Sequence, residues 1–480
     1  MPGSMRWQAG RWRDATAAQR GTARFVAVST VAGLLVAAGA VAATGPWDGG
    51  QRTAERTRAA AADRAERARP APSGPPPAGP VLIGAGGRAP AAAGVAAALE
   101  PLLRDGALGP HVSAAVLDAT TGERLFGSDE GAAVTPASTV KLVTSAAALS
   151  ALGADHRIET TVTLGTDGIV LVGGGDPTLT ARPAPSGERF ASLPALADAT
   201  ARALKARGTD RTKLSYDVSR YTGPAQHPIG PNENLAPVSA LMVDEGRLDD
   251  SDHGPAERTA DPAGDAARKF AALLADRGVR VEGDPAEGRS PAGARRIASV
   301  ASAPLSDLVE RALTNSDNDI AEALARQTAL ADGQPASFEG SGRAVAARVA
   351  KLGLPADGAR FADGSGLDRS DRVSAGLLAR LLARAGERGA PELRPVLTGL
   401  PVAGFSGTLQ GRYGAGDAGA GRGVVRAKTG TLTGVNTLAG TAVTGSGRLV
   451  AFAFMADGTS DPEGAQRALD ALAVAVAAAR

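Results

Sequence analysis

Ser138-Thr-Val-Lys141, Ser316-Asp-Asn318 and Lys428-Thr429-Gly430 follow one another in that order along the 480 residues, and each is the only occurrence of its pattern. Together these residue types can carry out acyl transfer. A serine hydroxyl becomes a nucleophile once its proton is removed, and an amine three residues further along a helix shares its face. Lys141 can take that proton only if it is held substantially neutral, which burial and a second cation at Lys428 would favour. Ser316 offers a hydroxyl to pass a proton to a leaving amine, and Asn318 an amide to orient Lys141 or the substrate. Lys428 brings positive charge suited to a free carboxylate, and Gly430 lets an extended substrate approach a strand backbone closely.

Residue usage strengthens this reading. The chain has 52 basic residues, yet its lysines are only Lys141, Lys205, Lys213, Lys269, Lys351 and Lys428. A guanidinium stays protonated at any useful pH, so lysine at position 141 has a chemical reason that arginine could not meet. Cysteine is absent, which removes thiol catalysis and disulfides. His111, His156, His227 and His253 fall in no metal-ligand spacing, and no metal or cofactor is called for. With a net charge of +2 and no basic tract interleaved with aromatics outside the first residues, nucleic acid is not an expected partner.

The elements that must position these groups are read from pattern. Arg6, Arg11, Arg13, Arg20 and Arg24 make a basic segment, 1–24, ahead of an uncharged apolar stretch, Phe25–Thr44. That stretch is about 30 Å long as a helix, enough to cross a bilayer, and the preceding charge predicts that the chain beyond residue 44 lies outside the cytoplasm. It reads as a membrane anchor, with Val41-Ala42-Ala43 allowing the alternative of a cleaved signal. Residues 45–89 form a Pro/Ala-rich linker. A helix is expected from about Ala92 to Arg104, a hairpin from Val112–Asp118 and Arg124–Phe126, and a buried helix over Val140–Leu149 that begins near Ser138. Thr437–Thr444 and Arg448–Met455 read as a second hairpin, and the segment from Asp461 as a last helix. One α+β domain assembled from both ends, 90–155 with 296–480, is therefore expected, an antiparallel sheet flanked by helices, interrupted by a smaller inserted domain at 156–295.

The chain resembles the D-alanyl-D-alanine carboxypeptidase/endopeptidase family of low-molecular-mass penicillin-binding proteins, the peptidase S13 group. Besides the three motifs, Gly173-Gly-Gly-Asp176-Pro177-Thr-Leu179, Asp363-Gly-Ser-Gly-Leu367, Leu400-Pro-Val-Ala-Gly404 and Gly407-Thr-Leu409 carry the likeness over residues 90–480. The resemblance implies a penicillin-binding, β-lactamase-like transpeptidase fold that removes the terminal D-alanine of peptidoglycan stem peptides through an acyl-enzyme and is acylated by β-lactams. It further implies Ser138, Lys141, Ser316, Asn318 and Lys428 as the catalytic set. Substrate contacts would come from Lys428, Thr429, Gly430 and Thr431, the last giving the second oxyanion N–H beside that of Ser138. Two departures stand out. The insert is shorter than in larger members, and Asp371 stands where an asparagine is common. The alternatives are a β-lactamase or related serine esterase, and a non-catalytic penicillin-binding cell-wall sensor. Neither cutting of crosslinks nor trimming of free stems is singled out by the motifs.

If Phe25–Thr44 anchors an external catalytic body, protease added to intact protoplasts will digest residues beyond the linker and spare a tag at Met1. Protection of the catalytic body would contradict export, and release of a form beginning near residue 44 would make the segment a cleaved signal.

Overall fold

Pro101 stops the first expected helix early, and the rest of the chain follows its apolar patterning closely. The computed structural model describes residues 87–182, 190–414 and 417–480. The basic segment, the apolar stretch and the linker up to residue 86 lie outside them. Helix α1 (Ala92–Leu99) gives way to a 3-10 turn at Leu102–Arg104. Strands β1 (His111–Asp118) and β2 (Arg124–Ser128) form the expected hairpin, followed by a short β3 (Ala133–Val134). Helix α2 (Val140–Leu152) is entered through a 3-10 turn at Ala137–Thr139, so Ser138 sits in that turn, just ahead of the helix. The middle of the chain carries β4 (Glu159–Leu164), β5 (Gly168–Val172), α3 (Leu193–Lys205), β6 (Arg211–Asp217), α4 (Pro262–Asp276), β7 (Arg280–Val281), β8 (Ala286–Glu287) and β9 (Arg296–Ala301). Then come α5 (Leu305–Thr314), α6 (Asn318–Ala331), α7 (Phe338–Lys351), β10 (Val373–Ser374), α8 (Ala375–Gly386) and α9 (Arg394–Thr398). The chain closes with β11 (Val425–Leu432), β12 (Val435–Val443), β13 (Leu449–Asp457) and α10 (Pro462–Ala478).

The first and last strands of the described residues meet in one antiparallel sheet of order β11-β12-β13-β1-β2. The joint is β1 against β13, paired from His111 with Asp457 to Asp118 with Val450. Alternation divides the strands between two cores. Ala115 and Leu117 face α2 and α8, while Ala114, Val116, Phe452 and Phe454 face α1 and α10. Ala, Val and Leu fill most of both, as the low aromatic content requires, each large aliphatic side chain contributing roughly 2 kcal/mol by its burial. Val140 through Leu149 are buried without interruption, so α2 lies inside the protein and takes Lys141 with it. This is the α+β arrangement expected from the sequence.

The insert has its own six-stranded sheet, β7-β6-β5-β4-β9 with β8 on β6, and β6 runs parallel to its neighbours. Its core gathers Ile169, Leu171, Leu196, Phe270 and Leu274. Strand β9 carries the sheet past the expected boundary at residue 295, because Ala301 pairs back onto Glu159. Contacts nevertheless group residues 85–480 as one compact unit.

At the joint, Asp118 accepts from Arg448 Nε at 2.6 Å and Nη2 at 3.0 Å, and from the Thr120 and Thr121 N–H groups. Burial opposes its charge, but these donors prevail and lower its pKa. The resulting stabilisation is present at neutral pH and lost as the pH falls through the folded pKa. Asp118→Ala removes the acceptor of all four bonds and is expected to cost about 3 kcal/mol in urea unfolding at neutral pH; a cost below about 1 kcal/mol would contradict this role for the joint.

Candidate active site

The 3-10 turn that carries Ser138 is clamped on three sides. Thr437 on β12 and Thr139 both donate hydroxyl protons to the Pro136 carbonyl, at 2.8 and 2.7 Å. Gly430 on β11 lies so close that a Cβ there would sit 2.7 Å from the same carbonyl and 2.2 Å from Thr437 Oγ1. Gly366, at φ +84°, comes closer still, since a Cβ would fall 2.0 Å from the Ala137 carbonyl oxygen and 3.0 Å from Ser138 N. Ala137 itself is left-handed at φ +48°.

One helical turn onward, the Lys141 amine is fully buried and donates to Ser138 Oγ at 3.0 Å, Asn318 Oδ1 at 2.7 Å and the Ser365 carbonyl at 2.6 Å. Burial drives its pKa down to about 8 against the opposing pull of Asp363, Asp317 and Glu322. Roughly a tenth of Lys141 is then neutral at pH 7, far more than for an exposed lysine.

Ser316 and Asn318 fall between α5 and α6. Ser316 occupies the turn at φ +59°, and Asn318 opens α6 behind Asp317, whose carboxylate caps the helix by accepting from Ile320 N at 3.0 Å. Asn318 Nδ2 donates to the Asn234 carbonyl at 2.9 Å, and Asp319 accepts from Ala236 N at 3.0 Å and Arg258 Nη2 at 3.2 Å. The insert thus holds this turn in place.

Lys428 lies on β11, an edge strand as expected, and donates to Ser316 Oγ at 2.9 Å and to the Thr429 carbonyl at 2.7 Å. Burial and the neighbouring Lys141 push it well below the ordinary lysine range. The structure therefore ties Lys141 to Ser138 and Asn318 and ties Lys428 to Ser316, with the two amines close enough to repel each other. Ser138, Ser316, Asn318 and Thr431 line a cleft of about 280 Å³ whose opposite wall includes Asn234 and Arg258 of the insert. Thr429 points its hydroxyl to Thr408 Oγ1 at 2.9 Å.

Beneath the cleft lies a turn to which the motifs assign no role. Asp363 Oδ1 accepts from Ser365 N at 3.0 Å and Gly366 N at 2.6 Å, and its Oδ2 from His227 Nε2 at 2.9 Å and Asp368 N at 2.8 Å. Glu322 Oε1 accepts from the Gly364 and Ser365 N–H groups at 2.9 and 3.0 Å. Burial works against the Asp363 charge, yet His227, the Gly366 N–H and Asp371 hold its pKa at about 2. Burial, then the Asp363 charge, push Asp371 up to about 10. Asp371 therefore carries a proton at neutral pH, and its Oδ1 accepts from Ala362 N at 2.6 Å.

Two groups among the described residues have metal-ligand chemistry, His227 with Glu322 and Asp363, and Glu245 with Asp317 and Asp319. In the first, the His227 nitrogen already serves Asp363. In the second, arginines take the cation's place: Arg247 lies 2.9 Å from Glu245, Arg258 3.2 Å from Asp319 and Arg311 3.6 Å from Glu245.

The model of the D-Ala-D-Ala carboxypeptidase 3 (S13) family matches residues 95–258 and 249–478. A carboxypeptidase of Mycobacterium tuberculosis is 37% identical over 421 residues, covering 84% of this chain and 88% of its own. The D-alanyl-D-alanine carboxypeptidase of an Actinomadura species is 32% identical over 442 residues, 76% of this chain and 81% of its own. Among solved structures, penicillin-binding protein 4 of Haemophilus influenzae superposes with a TM-score of 0.64 at 22% identity, covering 79% of this chain and 97% of its own.

The contact of Gly366 with the Ser138 turn gives a direct test. Gly366→Ala forces a methyl group into the Ala137 carbonyl and is expected to slow acylation of Ser138 by about 100-fold, the scale of an ångström's misplacement. A stopped-flow acylation rate within a few-fold of the unaltered protein would show that the turn does not set the nucleophile's position.

Proposed function

This chain belongs to the D-Ala-D-Ala carboxypeptidase 3 (S13) family, and from that premise we propose how its residues perform serine D-Ala-D-Ala carboxypeptidase chemistry on peptidoglycan stem peptides. The observation that carries the proposal is Lys141 Nζ, buried and 3.0 Å from Ser138 Oγ. Neutral Lys141 takes the Oγ proton as Oγ bonds to the carbonyl carbon of the penultimate D-alanine. The carbonyl oxygen gains negative charge and is held by the N–H groups of Ser138 and Thr431. When the tetrahedral adduct collapses, the C–N bond breaks and the proton that Lys141 took from Ser138 passes through Ser316 Oγ, which accepts from Lys428, to the nitrogen of the departing D-alanine, leaving Lys141 neutral again. Water then attacks the acyl-Ser138 ester; Lys141 takes the water's proton and returns it to Ser138 Oγ as the bond between Oγ and the acyl carbon breaks, releasing the shortened stem.

Lys428, together with Thr429, receives the substrate's terminal carboxylate, and Gly430 and Thr431 flank its backbone along the edge strand. Two buried amines this close resist holding full charge together, and an arriving carboxylate offsets that repulsion and favours the ammonium form of Lys428. A β-lactam enters the same site, and its acyl-enzyme deacylates slowly. We place the catalytic body, 90–155 with 296–480, outside the cytoplasm behind the apolar stretch 25–44, with the region 156–295 as a wall of the cleft. The substrate supports that location, as do the basic residues preceding the stretch.

Intact-mass analysis after penicillin treatment is expected to show one adduct, on the peptide containing Ser138. Lys141→Arg keeps the charge but not the base and is expected to slow adduct formation about 10²–10⁴-fold. An adduct on another residue would displace the nucleophile, and near-normal acylation of Lys141→Arg would displace the base.

A further inference from the structure

His227 reaches from the insert into the catalytic body and has no part in the mechanism above. Its side chain is 1% exposed and lies 2.9 Å from Asp363 Oδ2, with the ring edge-on to Phe338 at 5.1 Å between centroids. The Ile229 N–H points at Nδ1 at 3.2 Å, so Nδ1 is the acceptor and Nε2 carries the hydrogen donated to Asp363. Asp363 in turn receives the Ser365 and Gly366 N–H groups, and the Ser365 carbonyl receives Lys141 Nζ. An unbroken path of buried hydrogen bonds therefore joins His227 to the amine beside the nucleophile.

We infer that His227 is a positioning residue for acyl transfer: its Nε2–H bond orients Asp363, which fixes the turn presenting the Ser365 carbonyl to Lys141, and offsets the Asp363 charge that would otherwise keep a proton on Lys141. This rests on the assignment of Lys141 as the base. Around His227 the charged groups are Asp363, Glu322 and Asp368, with Arg326 stacked on Phe338 at 4.1 Å. Lys141 faces Asp363, Asp317, Glu322 and Asp371, with Lys428 as the neighbouring cation. Burial disfavours the imidazolium, while Asp363 raises the affinity of His227 for a proton. The sign of the effect is the same for either charge state. Without the imidazole, Asp363 acts on Lys141 less compensated, Lys141 holds its proton more tightly, and acylation needs a higher pH.

The test is the pH profile of the acylation rate constant of the full-length protein with a fluorescent penicillin. In His227→Phe, which keeps the ring and loses the donor, the acid limb is expected to move up by about one pH unit, making acylation about ten-fold slower at neutral pH. His227→Gln, which retains an N–H near the position of Nε2, is expected to restore the limb. A limb in His227→Phe superimposable on that of the unaltered protein overturns the inference, since a role in packing alone would lower the melting temperature and leave the profile in place. If His227→Phe does not fold, His227→Asn, whose amide falls short of Asp363, is compared with His227→Gln, and identical limbs in that pair overturn it equally. Unimpaired acylation by Lys141→Arg would remove the base assignment first, and this inference with it.

Discussion

An amine with three donors cannot be buried unless each donor is met, and the site is organised around that requirement at Lys141. Its acceptors come from three separate places: the Ser138 turn, the first residue of α6, and the carbonyl of Ser365. All three segments must converge within hydrogen-bond reach of one nitrogen. Glycines make the convergence possible: Gly364 lies against α6, where a Cβ would meet the Ala321 carbonyl at 2.7 Å, and Gly366 lies against the Ser138 turn. The same burial that demands these partners lowers the pKa toward 8, so the packing that fixes the amine also makes it a usable base.

Acidic groups balance this effect unevenly. Asp363, Asp317 and Glu322 pull on Lys141, whereas Lys428 is influenced chiefly by burial and by Lys141 itself. Lys428 is thus the amine that depends more on an incoming anion. The region between the first two motifs takes part as well, through Asn234, Ala236 and Arg258, which hold the turn of Ser316 and Asn318. The carboxyl groups of Glu245, Asp317 and Asp319 lie buried among Arg247, Arg258 and Arg311, so loss of Arg258 would strip Asp319 of its ion-pair partner beside the cleft.

Much of this was legible in the sequence because the reacting groups are short-range and type-restricted. Lys141 and Lys428 stand out against an arginine background, and Ser138, Ser316 and Asn318 keep fixed spacings. The hairpins were legible because both faces of the central sheet are covered by apolar residues. Less accessible were interactions between residues far apart in the chain. His227 and Asp363 are separated by 136 positions, and nothing near either one signals the other. Helix α7 is obscured by Gly340-Ser-Gly342 at its start, although Gly342 serves packing, since a Cβ there would lie 2.0 Å from the Phe361 carbonyl. Asp371, standing where an asparagine is common, is kept protonated by burial beside Asp363, which its place in the sequence does not show.

The central claim is that Lys141 is a base whose proton affinity is lowered by burial, and because the chain has only six lysines it can be observed directly by Nζ-detected nuclear magnetic resonance of 15N-lysine-labelled protein. The account predicts that the Lys141 resonance titrates near pH 8, well below the ordinary lysine range, and that its midpoint coincides with the pH at which acylation of Ser138 reaches half its maximal rate. A Lys141 that titrates in the ordinary lysine range, or an acylation rate indifferent to its titration, would contradict it.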